Sequence, residues 1–262
     1  GAWMTSYRDQ GLFHGKVERP VTAIVCNFTK PVGNKQSLLD HDEVLTLFHE
    51  MGHATHGLLA KGTYPSQTGT NVLWDFVELP SQLQENWLYE AETLNSFAAH
   101  FETGEKIPAE LIQKLRAAKN FMSGWMGLRQ MGMAILDMLW HTVDPSMITD
   151  VIAFEDEAMK GASLFPRYGG SLSTSFNHIF AGGYSAGYYS YKWAEVLDAD
   201  TFEAFLEAGL YDPATAQRYR KEVLEPGGAE HPAILYRRFR GRDADPAALL
   251  RREGLLTKNL MS

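Results

Sequence analysis

The chain has 262 residues, 45% of them hydrophobic and 21% charged, which is the balance of a folded globular protein. Its length suits one large domain or two small ones. The formal net charge of −8 argues against nucleic acid as a partner, because phosphate binding needs a basic surface. The sequence has no run of apolar residues long enough to predict a membrane span. The single cysteine, Cys26, has no partner for an internal disulfide, which favours a reducing, cytoplasmic location.

The predicted elements are mostly helical. A short β-branched run predicts a buried strand over 21–28. Asp40 and Glu43 form a capping-box pattern at the start of a helix that Gly62 is suited to end. Stretches rich in glycine, serine and threonine predict loops, at 61–73 and 161–183. Further helices are predicted over 75–99 with a kink at Pro80, from Pro108 to Trp140, over 147–160, 184–197, 201–209, 213–225 and 231–240, and from Pro246 onward.

The first predicted helix carries His49-Glu50-Met51-Gly52-His53. Residues four apart share one face of a helix, so the imidazoles of His49 and His53 can converge on one zinc ion. Glu50 lies beside that position, where its carboxylate can take a proton from a metal-activated water. A chance match to His-Glu-x-x-His is expected only about 0.02 times in a chain of this composition. This rarity disfavours the alternative, a solvated helix face with two incidental histidines.

A catalytic zinc site of this kind needs a third protein ligand. One peptidase pattern places a third His six residues after the second, but Leu59 occupies that position. Another pattern takes a Glu from a later helix, and the candidates are Glu78, Glu85, Glu90 and Glu92. Glu78 has apolar neighbours and needs an ionic partner to be tolerated there, whereas the other three have polar neighbours. The residues alone favour Glu78 and leave the others open.

A second candidate region combines glycines with tyrosines. Tyr184, Tyr188 and Tyr191 fall at i, i+4 and i+7, which predicts one stripe of a helix. Such a stripe suits either an aromatic core or a set of hydroxyl donors to an oxyanion. Gly182 and Gly183 precede it and allow unusual torsions and the close approach of a peptide. The residues alone leave both interpretations open.

Several stretches of the sequence point to a known family when they are taken together. They are Gly-Ala-Trp-Met (1–4), Val-Cys-Asn-Phe-Thr-Lys-Pro (25–31), His-Glu-Met-Gly-His-Ala-Thr-His (49–56), Asp-Phe-Val-Glu-Leu-Pro-Ser-Gln (75–82), Phe-Asn-His-Ile-Phe-Ala-Gly-Gly-Tyr (176–184) and Arg-Arg-Phe-Arg-Gly-Arg (237–242). This set resembles the thimet oligopeptidase family, in the branch of oligopeptidase A and dipeptidyl carboxypeptidase. One small departure is Met51, which stands where the family commonly has Phe.

The resemblance implies a mainly α fold: a helical zinc-peptidase catalytic region with a small β-sheet near the active site. It implies that Glu78 completes the zinc ligands with His49 and His53. It also implies a set of residues that contact substrate and the tetrahedral intermediate. These are His178, Tyr184, Tyr188 and Tyr191.

The expected function is the hydrolysis of short peptides by a zinc-dependent endopeptidase, with one Zn²⁺ per chain and Glu50 as general base. One alternative is a peptidyl-dipeptidase that releases C-terminal dipeptides. Another is a zinc-binding module without turnover, against which the presence of Glu50 argues, because a structural site closes its fourth position with a protein ligand.

Family members also carry an extensive N-terminal helical region that forms the second wall of a substrate channel, and the resemblance extends no further than the catalytic part. We therefore expect residues 1–262 to be one catalytic domain, the C-terminal part of a longer enzyme. An N-terminal region or a second copy of the chain would complete it. Aromatic residues that face the absent wall are then expected to be partly exposed, at Trp74, Phe76 and Trp87.

Overall fold

The structure, a computed structural model, describes residues 1–167 and 169–256. Its N-terminal segment forms two antiparallel pairs of strands, in which β2 (Gly11–Phe13) pairs with β3 (Lys16–Glu18) inside the longer pair of β1 (Trp3–Arg8) and β4 (Val21–Val25). The predicted strand is thus confirmed over its first five residues, but it is half-exposed, so the expected burial is wrong. The other three strands were missed because none has a β-branched run, and β2 and β3 are only three residues long.

The other regular elements of the described chain are helical, apart from one isolated bridge between Ala99 and Lys106, which confirms the mainly α fold. Short 3₁₀ turns lie at Pro65–Gln67, Asn86–Tyr89, Pro145–Met147 and Ser173–Ser175, and a π-helical turn lies at Arg220–Leu224. No helix in the described ranges is both long and apolar enough to cross a membrane. The α-helices are α1 (His41–Leu59), α2 (Trp74–Val77), α3 (Leu79–Glu85), α4 (Ala91–Phe97), α5 (Ala109–Lys119), α6 (Ser123–Thr142), α7 (Val151–Met159), α8 (Asn177–Phe180), α9 (Tyr189–Ala208), α10 (Pro213–Tyr219), α11 (Pro232–Arg240) and α12 (Pro246–Arg252).

The start of α1 is fixed by the predicted capping box. The backbone N–H of Glu43 donates to the Asp40 carboxylate at 2.8 Å, and the Asp40 N–H donates to the Glu43 carboxylate at 3.1 Å. Glu43 also accepts the N–H of Thr29 at 2.7 Å, which ties the segment after β4 to the helix. The helix that carries both candidate zinc histidines is thereby anchored at its first turn.

Two of the predicted long helices are wrong. The helix from Pro108 to Trp140 is interrupted, because Met122 adopts left-handed backbone torsions (φ 56°) between α5 and α6. The helix over 75–99 is divided into α2, α3 and α4, with a change of direction at Glu78 ahead of Pro80. In both places a local turn outweighs the apolar periodicity on which the prediction was based.

The opposite error occurs at 184–209, where two predicted helices are one, α9. Two acidic residues, Asp198 and Asp200, are buried in its middle, and each is paired with at least one arginine. Asp198 accepts hydrogen bonds from Asn86 and Arg252. Asp200 is fully buried and is held by Tyr236, Arg240 and Arg242. These tertiary partners satisfy the carboxylates and allow the helix to continue.

The main apolar core lies between α2, α3, α9, α10 and α11, and it presses α3 toward α1. Its buried residues include Phe76, Leu79, Leu83, Phe202, Phe205, Tyr219, Val223, Leu235 and Phe239. On the other side of α3 the helices touch at Gly52, where a Cβ atom would lie 2.5 Å from the carbonyl oxygen of Pro80 and 2.5 Å from Cα of Ser81. Only glycine permits this close approach of two backbones.

We predict that Gly52→Ala destabilises the protein by about 1–3 kcal/mol, because the added methyl group must push α3 away from α1. Urea unfolding of both proteins measures this difference. Gly127→Ala in α6 is the matched control, since its Cβ would meet only the Lys192 ammonium at 4.0 Å. The control should be neutral or stabilise by up to about 1 kcal/mol. Equal stability of the Gly52 variant and the wild type would contradict the prediction.

Candidate metal centre and active site

Three side chains from separate parts of the chain meet at one point. His49 and His53 are one turn apart on α1, with ring centroids separated by 5.1 Å. Glu78 comes from the junction of α2 and α3, and its Oε2 lies 3.3 Å from Nε2 of His49 and 3.2 Å from Nε2 of His53. One ligand atom from each residue lies within 4.8 Å of the other two. The structure therefore brings together the three predicted ligands.

The break between α2 and α3 places Glu78 at this point. Its side chain is almost fully buried, and both of its oxygens are held: Tyr184 donates to Oε1 at 2.7 Å and Ser81 donates to Oε2 at 2.8 Å. Burial alone would raise the pKa of this carboxyl, but hydrogen bonds and attraction from His49 and His53 outweigh it and hold the pKa well below its ordinary value. Glu78 is therefore an anion and is fixed in direction.

A further carboxylate orients the first histidine. Nδ1–H of His49 donates to Oε1 of Glu85 at 2.7 Å, which leaves Nε2 facing His53 and Glu78. Sequence reasoning counted Glu85 only as a possible third ligand and missed this role. The available signal was its spacing, since residues seven apart on α3 put Glu85 and Glu78 on the same face. A carboxylate behind a ligating imidazole is a recurrent feature of zinc sites.

The donor set fits zinc. Two imidazole nitrogens and one carboxylate oxygen are the ligands of many hydrolytic zinc sites, and the described residues supply no fourth His, Cys, Asp or Glu within reach. The mutual approach of these donors, and the fixed orientation of His49 and Glu78, would suit an ion held between them. An open position would then face the cavity beside them.

Glu50 lies in that cavity next to the ligands. Its side chain is buried, and Oε2 has no hydrogen-bond partner within the described ranges. Burial is the largest influence on this carboxyl and raises its pKa, although His49 and His53 oppose the shift. An unpaired buried carboxylate is costly, and such costs are typical of functional sites.

The cavity has a volume of about 570 Å³ and is lined by four stretches of the chain. The lining includes the predicted ligands and Glu50, and Trp3 and Met4 of β1. The β1–β4 pair therefore lies next to the site, which confirms the predicted sheet near it. The lining also has an aromatic side, which consists of Trp74, His178, Tyr184 and Tyr191.

The predicted tyrosine stripe is only partly correct. The helix begins at Tyr189, so Tyr184 lies in the preceding turn, where Ala186 has left-handed torsions (φ 51°). Tyr184 and Tyr191 nevertheless stack at 4.8 Å, and both face the cavity. The turn packs against Trp74 at Gly183. This glycine has φ 87°, and a Cβ atom added to it would lie 3.4 Å from the indole.

Tyr188 lies away from the cavity lining. It is buried among Met133, Leu136, Phe176 and Ile179, and its hydroxyl donates to Oε1 of Gln130 at 3.1 Å. This contact pattern matches the aromatic-core interpretation for Tyr188. The exposed ring of His178 lies 6.0 Å from the ring of Tyr191, at the edge of the cavity. A role of these residues in substrate binding stays a prediction.

Comparison with known proteins agrees with this geometry. The sequence profile described as "Peptidase family M3" matches residues 1–255. The chain belongs to peptidase family M3. This membership confirms the resemblance found from the motifs, since the relatives include both expected kinds of enzyme.

The chain is 43% identical over 261 residues to oligopeptidase A of Haemophilus influenzae, covering 98% of this chain and 38% of that protein. It is 45% identical over 269 residues to the organellar oligopeptidase A of Arabidopsis thaliana, covering 98% and 34%. It is 39% identical over 261 residues to the dipeptidyl carboxypeptidase of Salmonella typhimurium, covering 97% and 38%. This M3 chain thus spans little more than a third of the curated relatives it matches.

Metal binding at this M3 site should release protons. Burial lowers the pKa of His49, but hydrogen bonds to Glu78 and Glu85 outweigh it and raise that pKa to about 10. The metal-free imidazole is therefore protonated at neutral pH, and a zinc ion must displace that proton. We predict at least about one proton released per zinc between about pH 7 and pH 8, with affinity rising as pH rises.

Isothermal titration of the metal-free protein with zinc, in buffers of different ionisation enthalpy, measures the released protons. A binding heat that is the same in all buffers would contradict the prediction.

Proposed function

We propose that this chain is the catalytic region of a zinc-dependent endopeptidase that hydrolyses short peptides. One observation carries the proposal: His49, His53 and Glu78 converge beside the unpaired carboxylate of Glu50, in a cavity open to substrate. Membership of peptidase family M3 and the names of the oligopeptidase A relatives support the same activity.

In this proposal His49, His53 and Glu78 hold one Zn²⁺. Zinc bound there supplies a positive charge that polarises a peptide carbonyl and lowers the pKa of a nearby water molecule. Glu85 fixes the ring of His49, and Tyr184 and Ser81 fix the carboxylate of Glu78, so the ligands do not have to reorient when the ion binds.

Glu50 moves the proton. Its carboxylate accepts a proton from the attacking water and then donates it to the nitrogen of the leaving amine, so one residue serves both halves of the hydrolysis. Oε2 is buried and has no hydrogen-bond partner among the residues that the structure describes.

The aromatic side of the cavity supplies the oxyanion donor. Of the three predicted tyrosines, Tyr191 fits this role best, because it faces the cavity, while the Tyr184 hydroxyl is committed to Glu78 and the Tyr188 hydroxyl to Gln130. Tyr184 therefore orients a ligand, and His178 at the cavity edge contacts the peptide. Donation to an oxyanion strengthens as charge develops in the transition state.

We predict that Glu50→Gln keeps zinc and loses turnover by at least about 10²-fold, because the amide has a similar shape and cannot accept a proton. Glu78→Ala should instead lose the metal, since it removes a ligand and leaves two imidazoles. Metal analysis after gel filtration and peptide hydrolysis rates measure both effects. If the two variants had the same zinc content, the assignment of roles would be wrong.

Tyr191→Phe should lower kcat by about 10²–10³-fold and change KM much less, because an oxyanion donor acts mainly in the transition state. Tyr188→Phe is the matched control, since its hydroxyl bonds Gln130 inside the core. The control should lower the melting temperature, because it removes a hydrogen bond in the core, and should leave kcat close to the wild-type value. A normal kcat for the Tyr191 variant would remove it from the mechanism.

The test of the function itself is product analysis after chelation and reconstitution. A chelator should abolish hydrolysis, and zinc should restore it. Two versions of one peptide, with a blocked and a free C-terminus, separate the activities. An internal cut in both supports the endopeptidase, and dipeptide release from the free version alone supports a peptidyl-dipeptidase, the activity in the name of the Salmonella relative. No hydrolysis with zinc bound would leave only a binding module.

We also propose that a region beyond these residues, or a second copy of the chain, covers the open side of the cavity. Trp3 and Trp74 line the cavity and are each 51% exposed. The expectation of partial exposure is wrong for Phe76, which is in the core. Trp87 is partly buried, packs against Phe202 and does not line the cavity. The exposed aromatic rim is the kind of apolar surface that a partner covers.

If the cavity lacks its second wall, the 262-residue chain should cleave long and short peptides with similar, weak affinity. A length series of peptides ending in a loosely folded protein measures this, with the oligomeric state followed by light scattering. A sharp cutoff at short lengths by the monomeric chain would show that it builds its own channel.

The cytoplasmic location and the single catalytic domain over 1–262 stay predictions. The lone cysteine supports the first, and the family match over 1–255 supports the second.

A further inference from the structure

The segment from Ser171 to Tyr188 delivers His178 and Tyr184 to the cavity, yet it has little regular structure of its own. Within it lie one short 3₁₀ turn and the four-residue helix α8. Its backbone hydrogen bonds are local turns and do not tie its ends to the rest of the protein, so outside contacts are needed to hold the two side chains in place. The structure shows one buried carboxylate at each end of it.

Asp137 of α6 holds the end of the segment. Its carboxylate is fully buried and accepts the backbone N–H of Ala186 at 2.9 Å and that of Tyr188 at 2.9 Å, one on each oxygen. His141, one turn later on α6, lies 2.9 Å from the same carboxylate. The left-handed torsions of Ala186 are unfavourable for any residue with a Cβ and persist only when neighbouring contacts impose them.

Glu155 of α7 holds the start of the segment. Its carboxylate is buried and accepts the N–H of Leu172 at 2.9 Å, the N–H of Ser173 at 2.8 Å and the hydroxyl of Ser171 at 2.7 Å. Arg167 pairs with it from the outside. Burial would raise the pKa of Glu155, but these donors outweigh it and lower the pKa to about 2, so the group is charged at neutral pH.

Asp137 and Glu155 belong to two helices, α6 and α7, that pack against each other. Helices α6 and α7 pack closely around Gly132, where a Cβ atom would lie 2.9 Å from Cβ of Ala162 and 3.2 Å from the methyl group of Met159. Both ends of the segment 171–188 are therefore hydrogen-bonded to the same pair of helices. This pair contributes none of the residues that line the zinc cavity.

We propose that Asp137 and Glu155 are positioning residues of the peptidase site: from the α6–α7 pair they clamp the two ends of the segment 171–188 and so set where His178 and Tyr184 stand. The proposal rests on the proposed hydrolytic function. Asp137 is the more important clamp, because it fixes the turn that joins Tyr184 to the start of α9 and thus also the first turns of the helix that carries Tyr191.

The experiment compares Asp137→Asn and Glu155→Gln with a matched control, Asp200→Asn. Asp200 is equally buried and is held by Tyr236, Arg240 and Arg242, none of which lines the cavity. Each variant removes one accepting oxygen at nearly constant volume. For every variant we would measure zinc content, kcat and KM, and melting temperature. We would also measure hydrogen exchange of peptides covering 171–173 and 184–190, with 41–59 as internal reference.

The clamps predict local exchange at 184–190 that is at least about tenfold faster in Asp137→Asn, with unchanged exchange at 41–59 and one zinc per chain. They predict that kcat/KM falls by about 10–10²-fold, since a displacement of about 1 Å is enough for that loss. Asp200→Asn should lower the melting temperature without either change. Glu155→Gln should show faster exchange at 171–173 and a smaller loss of activity.

A rescue variant separates positioning from general stability. Ala186→Gly removes the torsional penalty of the turn. In the Asp137→Asn background it should therefore recover several-fold of the lost activity. If Asp137→Asn alone does not fold, the double variant Asp137→Asn, Ala186→Gly is measured in its place. The proposal is overturned if exchange at 184–190 stays at the wild-type rate, or if Asp137→Asn and Asp200→Asn lose activity equally. A wild-type protein that binds zinc without turnover would refute the proposed function, and the exchange rates would still decide whether the clamps exist.

Discussion

The approach of α1 to α3 is the contact on which the site depends. Any helix can carry two histidines one turn apart. A carboxylate from another helix reaches them only if the backbones of the two helices nearly touch. Gly52 lies between His49 and His53, and it is the residue whose missing side chain admits Pro80 and Ser81. The apolar core behind α3 presses the helices together, and the absent Cβ sets how close they come.

The close approach of α1 and α3 buries the carboxylate of Glu78, and several residues together offset the free-energy cost of burying that charge. A buried carboxylate at Glu78 is tolerated because Tyr184 and Ser81 donate to it and His49 and His53 attract it. The same imidazole of His49 is held from behind by Glu85. The metal-free site is therefore already close to a binding geometry. An ion would replace a proton in this network and would not have to assemble it.

Sequence predicts such a site unevenly, and the physical reason is locality. The spacing of His49, Glu50 and His53 follows from the helix repeat alone, and the apolar neighbours of Glu78 are enough to indicate a buried anion. Glu85 has no comparable signal beyond its spacing, because its role exists only once α3 lies against α1. The same holds for the buried aspartates of α9, whose partners come from the 3₁₀ turn after α3, from α11, from the segment that follows α11 and from α12.

The tyrosine side shows why the helix repeat can mislead at a functional site. The i, i+4 and i+7 spacing predicts one face for Tyr184, Tyr188 and Tyr191. In the structure the chain turns at Ala186, so Tyr188 is buried in the core while Tyr184 stacks on Tyr191. The hydroxyl of Tyr184 then bonds Glu78, and Gln82 of α3 donates to the carbonyl of Tyr191 at 3.3 Å. These two bonds join the aromatic side to the ligand side. A shift of the segment 171–188 would therefore also move the hydroxyl that holds Glu78, a proposed zinc ligand, so the torsions at Ala186 would affect the geometry of the proposed metal site.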